Sequence, residues 1–173
     1  MRTLFGTAAM IAIFAAASFS QDEDRTMEAY AMGSYSRIAH SGGGLYVPTS
    51  GGTFYGAGFG AHAGLVGWQA EFLRSRVSGA TLAPTMNTGA VNFLLEKRDG
   101  SIRPVFLVGA GGSVALKNYV FLQAGLGVTI TLADGLFERP QVRAQLWQNG
   151  GLLGVSQTAT CVGIAIGYRF AAP

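Results

Sequence analysis

Thr160-Cys161-Val162-Gly163-Ile164-Ala165-Ile166-Gly167-Tyr168-Arg169-Phe170 alternates without a break. Thr160, Val162, Ile164, Ile166, Tyr168 and Phe170 fall on one face. Cys161, Gly163, Ala165, Gly167 and Arg169 fall on the other. A period of two is the signature of a β-strand, because successive side chains point to opposite faces. The first face is apolar and ends in two aromatics. The second is small and then charged. A soluble sandwich needs bulk on its core face and polarity on its solvent face, and this stretch has neither. A strand with lipid outside and a crowded interior behind it accounts for both faces.

The composition agrees. Hydrophobic residues make up 49% of the 173 and charged ones only 12%, about half the soluble norm. Beyond the N-terminus no apolar run is long enough for a spanning helix. Apolar mass without apolar runs means alternation. Glycine is frequent, 26 residues without a collagen period, and it recurs on every second position of several segments. One side of the sheet is therefore crowded.

Residues 1–20 read as a secretory signal. Arg2 supplies the positive start, Leu4 to Ala17 the apolar run, and Ser18-Phe19-Ser20 a small-x-small cleavage site before Gln21-Asp22-Glu23-Asp24-Arg25. Residues 21–26 form a short N-terminal segment, and 27–173 one domain of roughly 150 residues. The formal charge of +3, one unit of it from Arg2 in the leader, is too small and scattered to point to nucleic acid. Cys161 is the one cysteine, so no internal disulfide forms; it reads as a small inward packing residue.

Eight strand candidates follow. The first, about Met27 to Ile38, alternates weakly, with Ala29, Ala31, Gly33 and Tyr35 opposite Tyr30, Met32, Ser34 and Ser36. The second, about Thr53 to Leu65, sets Tyr55, Ala57, Phe59, Ala61 and Ala63 against Gly56, Gly58, Gly60, His62 and Gly64. A tight turn near Val66-Gly67 leads to the third, about Trp68 to Val77, where Gln69, Glu71 and Ser75 continue the glycine side. The fourth, about Asn87 to Glu96, turns Ala90, Asn92 and Glu96 inward. Asp99-Gly100 then marks a hairpin. The fifth runs about Arg103 to Leu116, with Pro104 near its start, where a missing N–H is tolerable. After a short turn at Lys117-Asn118, Val120 to Leu132 alternate with Phe121, Gln123, Gly125, Gly127, Thr129 and Thr131. Asp134-Gly135 is the next turn. The seventh, about Phe137 to Trp147, sets Val142, Ala144 and Leu146 against Arg139, Gln141, Arg143 and Gln145.

Connections alternate between short turns and longer Gly/Ser/Thr-rich stretches, chiefly His40 to Gly52 and Gln148 to Gln157, the one after the fifth strand excepted. This order predicts an all-β chain: an eight-stranded antiparallel up-and-down transmembrane β-barrel with both ends and the Asp-Gly turns on the inner side. Closure also removes the strand edges.

Several stretches, Trp68-Gln69-Ala70-Glu71-Phe72, Arg103 to Gly112, Gln141-Val142-Arg143 and the closing Gly167-Tyr168-Arg169-Phe170, resemble the small outer-membrane β-barrel family, the eight-stranded OmpA/OmpX-like class of porin-family proteins in Gram-negative cell envelopes. The resemblance implies outer-membrane localisation, outer-membrane lipid as surroundings, and recognition of Tyr168 and Phe170 by the assembly machinery. Chains of that family usually end on the aromatic residue; here Ala171-Ala172-Pro173 follow.

An eight-stranded barrel has room inside only for its own side chains. Strand parity sends Gln69, Glu71, Asn92, Glu96, Gln123, Arg139, Gln141, Arg143, Gln145 and Arg169 inward. Charges there need partners, and Glu71 is expected to pair with Arg143 or a neighbour. Tyr46, Trp68, Trp147, Tyr168 and Phe170 are candidates for aromatic belts at the membrane borders.

Catalysis has little to stand on. His62 lies mid-strand on the glycine face. His40 adjoins Ser41, but every Asp lies at the N-terminus or in an inner turn, so the pair lacks an orienting acid. Two isolated His and one Cys make no metal set, and no cofactor is expected. Gly109-Ala110-Gly111-Gly112 lies within a strand and is no phosphate cradle. The expected function is a monomeric outer-membrane barrel with a structural or surface-interaction role, its surface ligand unspecified. A narrow ion or solute pore is the alternative. A secreted lipocalin-like carrier would instead require a bulky apolar lumen and a polar exterior.

Overall fold

The computed structural model describes residues 25–39, 51–77, 85–97, 99–114, 118–149 and 157–171. The expected signal segment 1–20, His40, Tyr46 and most of the longer connections fall outside these. The strands are β1 (Arg25–Ala39), β2 (Gly51–Ala63), β3 (Val66–Val77), β4 (Thr85–Glu96), β5 (Ile102–Val114), β6 (Asn118–Ala133), β7 (Leu136–Asn149) and β8 (Gln157–Ala171). Each pairs antiparallel with its sequence neighbours. β1 also pairs with β8, from Thr26↔Ala171 to Ala39↔Thr158, and closes the barrel. All-neighbour pairing leaves no free sheet edge. Most strands run a few residues longer than the alternating patterns alone mark out, but β2 keeps its expected length two residues earlier, and β5 is described from Ile102 to Val114 only.

Three connections lie at one end, here called the turn end: 64–65, 97–101 and 134–135. β1 starts and β8 finishes there. The far end carries the connections 40–50, 78–84, 115–117 and 150–156. Asp99-Gly100 and Asp134-Gly135 sit in turns as expected, with φ of 93° at Gly100 and 77° at Gly135, the left-handed backbone that a strand-joining turn demands. The β2–β3 turn differs from the sequence expectation. It falls at Gly64-Leu65, with Gly64 at φ 61°, and not at Val66-Gly67. Gly67 is instead a buried strand residue, because a Cβ there would meet the His62 ring at 2.6 Å.

The wall is inverted relative to a water-soluble barrel. Phe72 and Leu126 are 65% exposed on the outside. Around them Phe59, Phe93, Phe106, Val108, Leu122, Val142, Val162, Ile164 and Ile166 are also exposed. Inside lie Glu28, Gln69, Glu71, Asn92, Glu96, Gln123, Arg139, Gln141 and Arg143, each 5% exposed or less. The exterior is one apolar belt far larger than the patches a soluble monomer shows. Val128 and Ile130 share the outward parity of β6 and are half-buried. This is the reverse of what a carrier with a greasy lumen requires.

Glycine makes the crowded interior possible. At Gly58 the Tyr30 ring occupies the space of a side chain; a Cβ there would lie 2.4 Å from its Cζ. Among the described residues three apolar groups lie between the polar ones. One gathers Tyr30, Met32, Phe54, Leu73, Phe137 and Ala165. A second holds Ala90, Phe121, Trp147 and Ala159, and a third Leu94, Val105 and Leu107.

Candidate functional site: the polar lumen

Two clusters of charge lie along the lumen. The first is at the turn end, where β1, β2, β4, β5, β7 and β8 begin or finish. Glu28 accepts from both terminal nitrogens of Arg139, at 3.0 and 2.7 Å, and from Arg169 Nη2 at 2.9 Å. His62 Nε2 lies 3.2 Å from the same carboxylate. Glu96 takes a two-pronged contact from Arg169, 2.9 and 3.0 Å, and faces Arg103 Nε at 3.2 Å and Arg139 at 3.6 Å. Two carboxylates are thus shared among three guanidiniums. Arg139 also donates to Thr129 at 2.9 Å and to Gln69 at 3.2 Å, and its guanidinium lies 5.0 Å from the Phe137 ring centre. Planar, delocalised Arg suits such a site, since it donates in several directions while stacking on a ring.

The second cluster is at mid-height. Arg143 holds Glu71 with both terminal nitrogens, one at 2.6 Å to Oε1 and the other to Oε2. Tyr30 Oη and Gln69 Nε2 also donate to Glu71, at 3.0 and 2.9 Å, and Asn92 adds a longer contact at 3.4 Å. A chain of amides then runs outward: Gln123 donates to Asn92, Gln145 to Gln123 at 3.0 Å, and Trp147 to Gln145 at 3.1 Å. Cys161 Sγ sits 3.2 Å from Gln145 Oε1. Buried polar groups need such partners, and here most have them.

All ten inward polar residues expected from parity face the lumen. Gln145 and Arg169 are half-buried and the other eight buried. Glu71 pairs with Arg143 as expected. Gln141 is less integrated: its amide approaches Met32 Sδ at 3.4 Å, and its Oε1 has no partner. The residues missed by the sequence reading are Glu28, Tyr30, Arg103 and Thr129 as members of the clusters. Glu28 shares the parity of Tyr30 and Met32, so a signal was present. Its position close to the acidic run at 22–24 hid it.

Of the aromatic-belt candidates, Tyr168 and Phe170 face outward near the turn end, 51% and 40% exposed. Trp68 is on the outer wall, edge-on to Phe59 at 5.6 Å. Trp147 is a correction. It is buried inside against Phe121, ring centres 4.6 Å apart, because odd parity on β7 continues the Arg139, Gln141, Arg143, Gln145 row. Beyond the Glu71–Arg143 pair a small cavity opens, lined by Met32, Phe54, Leu73, Phe121, Gln123, Arg143 and Cys161 among others. It has room for one water molecule at most. Among the described residues no group of three or more His, Cys, Asp or Glu is arranged to hold a metal ion.

An antiparallel, neighbour-paired, eight-stranded closure with polar filling and an apolar wall is a specific architecture, and solved structures share it. Neisserial surface protein A matches with a TM-score of 0.69 at 8% identity, covering 83% of this chain and 97% of its own. The fold is that of the small outer-membrane β-barrels. Ail, the attachment invasion locus protein of Yersinia pestis, matches with a TM-score of 0.52 at 14% identity, covering 87% of this chain and all of its own. No family model and no curated protein sequence matches the chain. At such identities the likeness is one of fold.

Proposed function

We propose that the chain is a monomeric outer-membrane barrel with a structural or surface-interaction role, its lumen closed by its own side chains. The observation that carries this reading is the inverted wall: bulky apolar residues outside, paired ions and amides inside. Lipid is the surroundings in which that arrangement is favourable. The turn end then faces the periplasm and the far end the exterior. Tyr168 and Phe170, outward on the last strand, are the residues for the assembly machinery to read. The connections 40–50 and 150–156 are the places for a surface partner. The names of the two similar structures, a surface protein and an attachment protein, are in keeping with that role. No catalytic role is assigned. His62 is engaged with two carboxylates and Arg169.

Purified protein refolded in detergent should migrate differently on a gel before and after boiling, float with lipid vesicles, and give no discrete conductance in a planar bilayer. Failure to float removes the membrane reading. The narrow pore is the second reading, favoured by the small cavity on the far side of the Glu71–Arg143 pair. Steady unitary currents from wild-type protein would make it the better one.

A further inference from the structure

The charges on the chain are unevenly divided between its two ends. The nine acidic residues lie at 22–24, in the lumen (Glu28, Glu71, Glu96), or in and beside the turns (Asp99, Asp134, Glu138). None lies toward the far end, in the strands or in the connections there. The basic residues of that end are Arg37, Arg74, Arg76 and Lys117. The turn end is mixed, with Arg25, Lys97, Arg98, Asp99, Asp134 and Glu138.

Three of these far-end arginines hold outward register positions on β1 and β3, the strands on either side of β2. Arg37 and Arg74 are exposed on the outer wall. Arg74 is directly opposite Tyr55 of β2 and Asn87 of β4, and Arg76 occupies the next outward register position of β3, opposite Thr53 and Thr85. Beneath Arg37 lies Tyr35, and both tyrosines are exposed outward, 54% and 55%. Further down the same strands the wall becomes Ala57, Phe59, Ala70 and Phe72. On β1 the arginine thus lies beyond its tyrosine toward the rim, and on β3 Arg74 stands level with Tyr55, both above the apolar wall. Tyrosine marks the headgroup level of a bilayer, and an arginine just above it is at the height of lipid phosphates, which its planar donor fork fits.

We infer that the rim of β1 to β3 at the far end is a docking surface for anionic, phosphate-bearing lipid headgroups of the leaflet around it. This rests on the membrane reading proposed above. Arg37 and Arg74 are exposed on the outer wall at the rim of the apolar belt, so they meet the surrounding lipid and not a partner seated on top of the barrel. With no carboxylate at that end, nothing in the chain competes for them. Each basic group near an anionic surface contributes measurably, and the contribution is screened by salt.

The test uses the full chain refolded in neutral detergent micelles doped with phosphatidic acid or phosphatidylcholine of the same acyl chains, and counts retained lipid by native mass spectrometry. Wild-type protein should retain phosphatidic acid about tenfold over phosphatidylcholine at low salt, and lose most of that preference in 0.5 M salt, on the order expected for two or three arginine contacts. The triple variant Arg37→Gln, Arg74→Gln, Arg76→Gln should show no preference. The turn-end pair Lys97→Gln, Arg98→Gln should behave as wild type. Should the triple variant fail to fold, Arg74→Gln alone should weaken the preference and Arg74→Lys restore most of it. An unchanged preference in the triple variant overturns the inference, as does an equal loss in the turn-end pair. Full competition by inorganic phosphate, or retention of soluble heparin without any lipid preference, overturns it as well. Boiling-dependent gel migration and vesicle flotation are read on the same samples. No flotation sinks the membrane reading itself, whereas flotation without headgroup preference sinks only the docking surface.

Discussion

The two charge clusters of the lumen are built on different plans. At the turn end Glu28 and Glu96 are held in common by Arg139, Arg169 and His62, and Arg103 adds a contact to Glu96. At mid-height Glu71 has one cation, Arg143, and otherwise neutral donors. Shared ions have substitutes; an exclusive pair has none. Burial makes the difference matter, because an ion stripped of water and left without a partner is far more costly than an ion pair replaced outright. The turn end should therefore be tolerant and the middle brittle.

The largest effect is expected from Arg143→Met, which leaves the Glu71 carboxylate without a cation. A loss of about 3–5 kcal/mol is the usual scale for orphaning one member of a buried pair. Urea titration of the folded band in micelles measures it. Arg139→Met is the matched change at the turn end. There Glu28 keeps Arg169 at 2.9 Å and His62 at 3.2 Å, so the midpoint should fall distinctly less. Equal losses would erase the distinction between the clusters.

Glu71→Gln comes next. The neutral amide keeps some hydrogen bonds and strands Arg143, lowering the temperature at which the folded gel band disappears. An unchanged temperature would mean that the pair is no plug. Combining Glu71→Leu with Arg143→Met should cost less than either change alone, since nothing charged is left unpaired. A double-mutant cycle gives the coupling.

Packing provides a third comparison. Gly58→Ala at mid-lumen must displace the Tyr30 ring, which donates to Glu71, so a cost of about 1–3 kcal/mol is expected from overpacking. The smallest effect belongs to Arg103→Gln. Its side chain is 14% exposed and Glu96 retains Arg169, so the change should stay under about 1 kcal/mol in the same titration.

Much of this was legible in the sequence because the strands announce themselves. In β6 and β8 the outward positions are mostly bulky and apolar and the inward ones mostly small or polar, Phe121 excepted, so parity assigns each side chain to the wall or the lumen. The Glu71–Arg143 pair follows from the same parity plus the need to neutralise buried charge. What parity does not supply is depth. It places Glu28, Glu96 and Arg169 inside, but not that they meet at one height, since that depends on the stagger of strands around the barrel. Trp147 was assigned to a belt from residue type when its parity already pointed inward. The β2–β3 turn was ambiguous for a physical reason. Gly64 and Gly67 each suit a positive φ, and only the packing of His62 against Gly67 decides between them.

What the outer wall touches, acyl chains or water, decides the nature of this barrel. Leu126, mid-strand on β6 and 65% exposed, is the position to probe, by replacing it with Arg and measuring folding into vesicles by urea titration. Contact with acyl chains predicts a loss of about 2–4 kcal/mol, the usual penalty for an arginine near the bilayer midplane. A change within about 0.5 kcal/mol, as for an ordinary water-facing substitution, would contradict it.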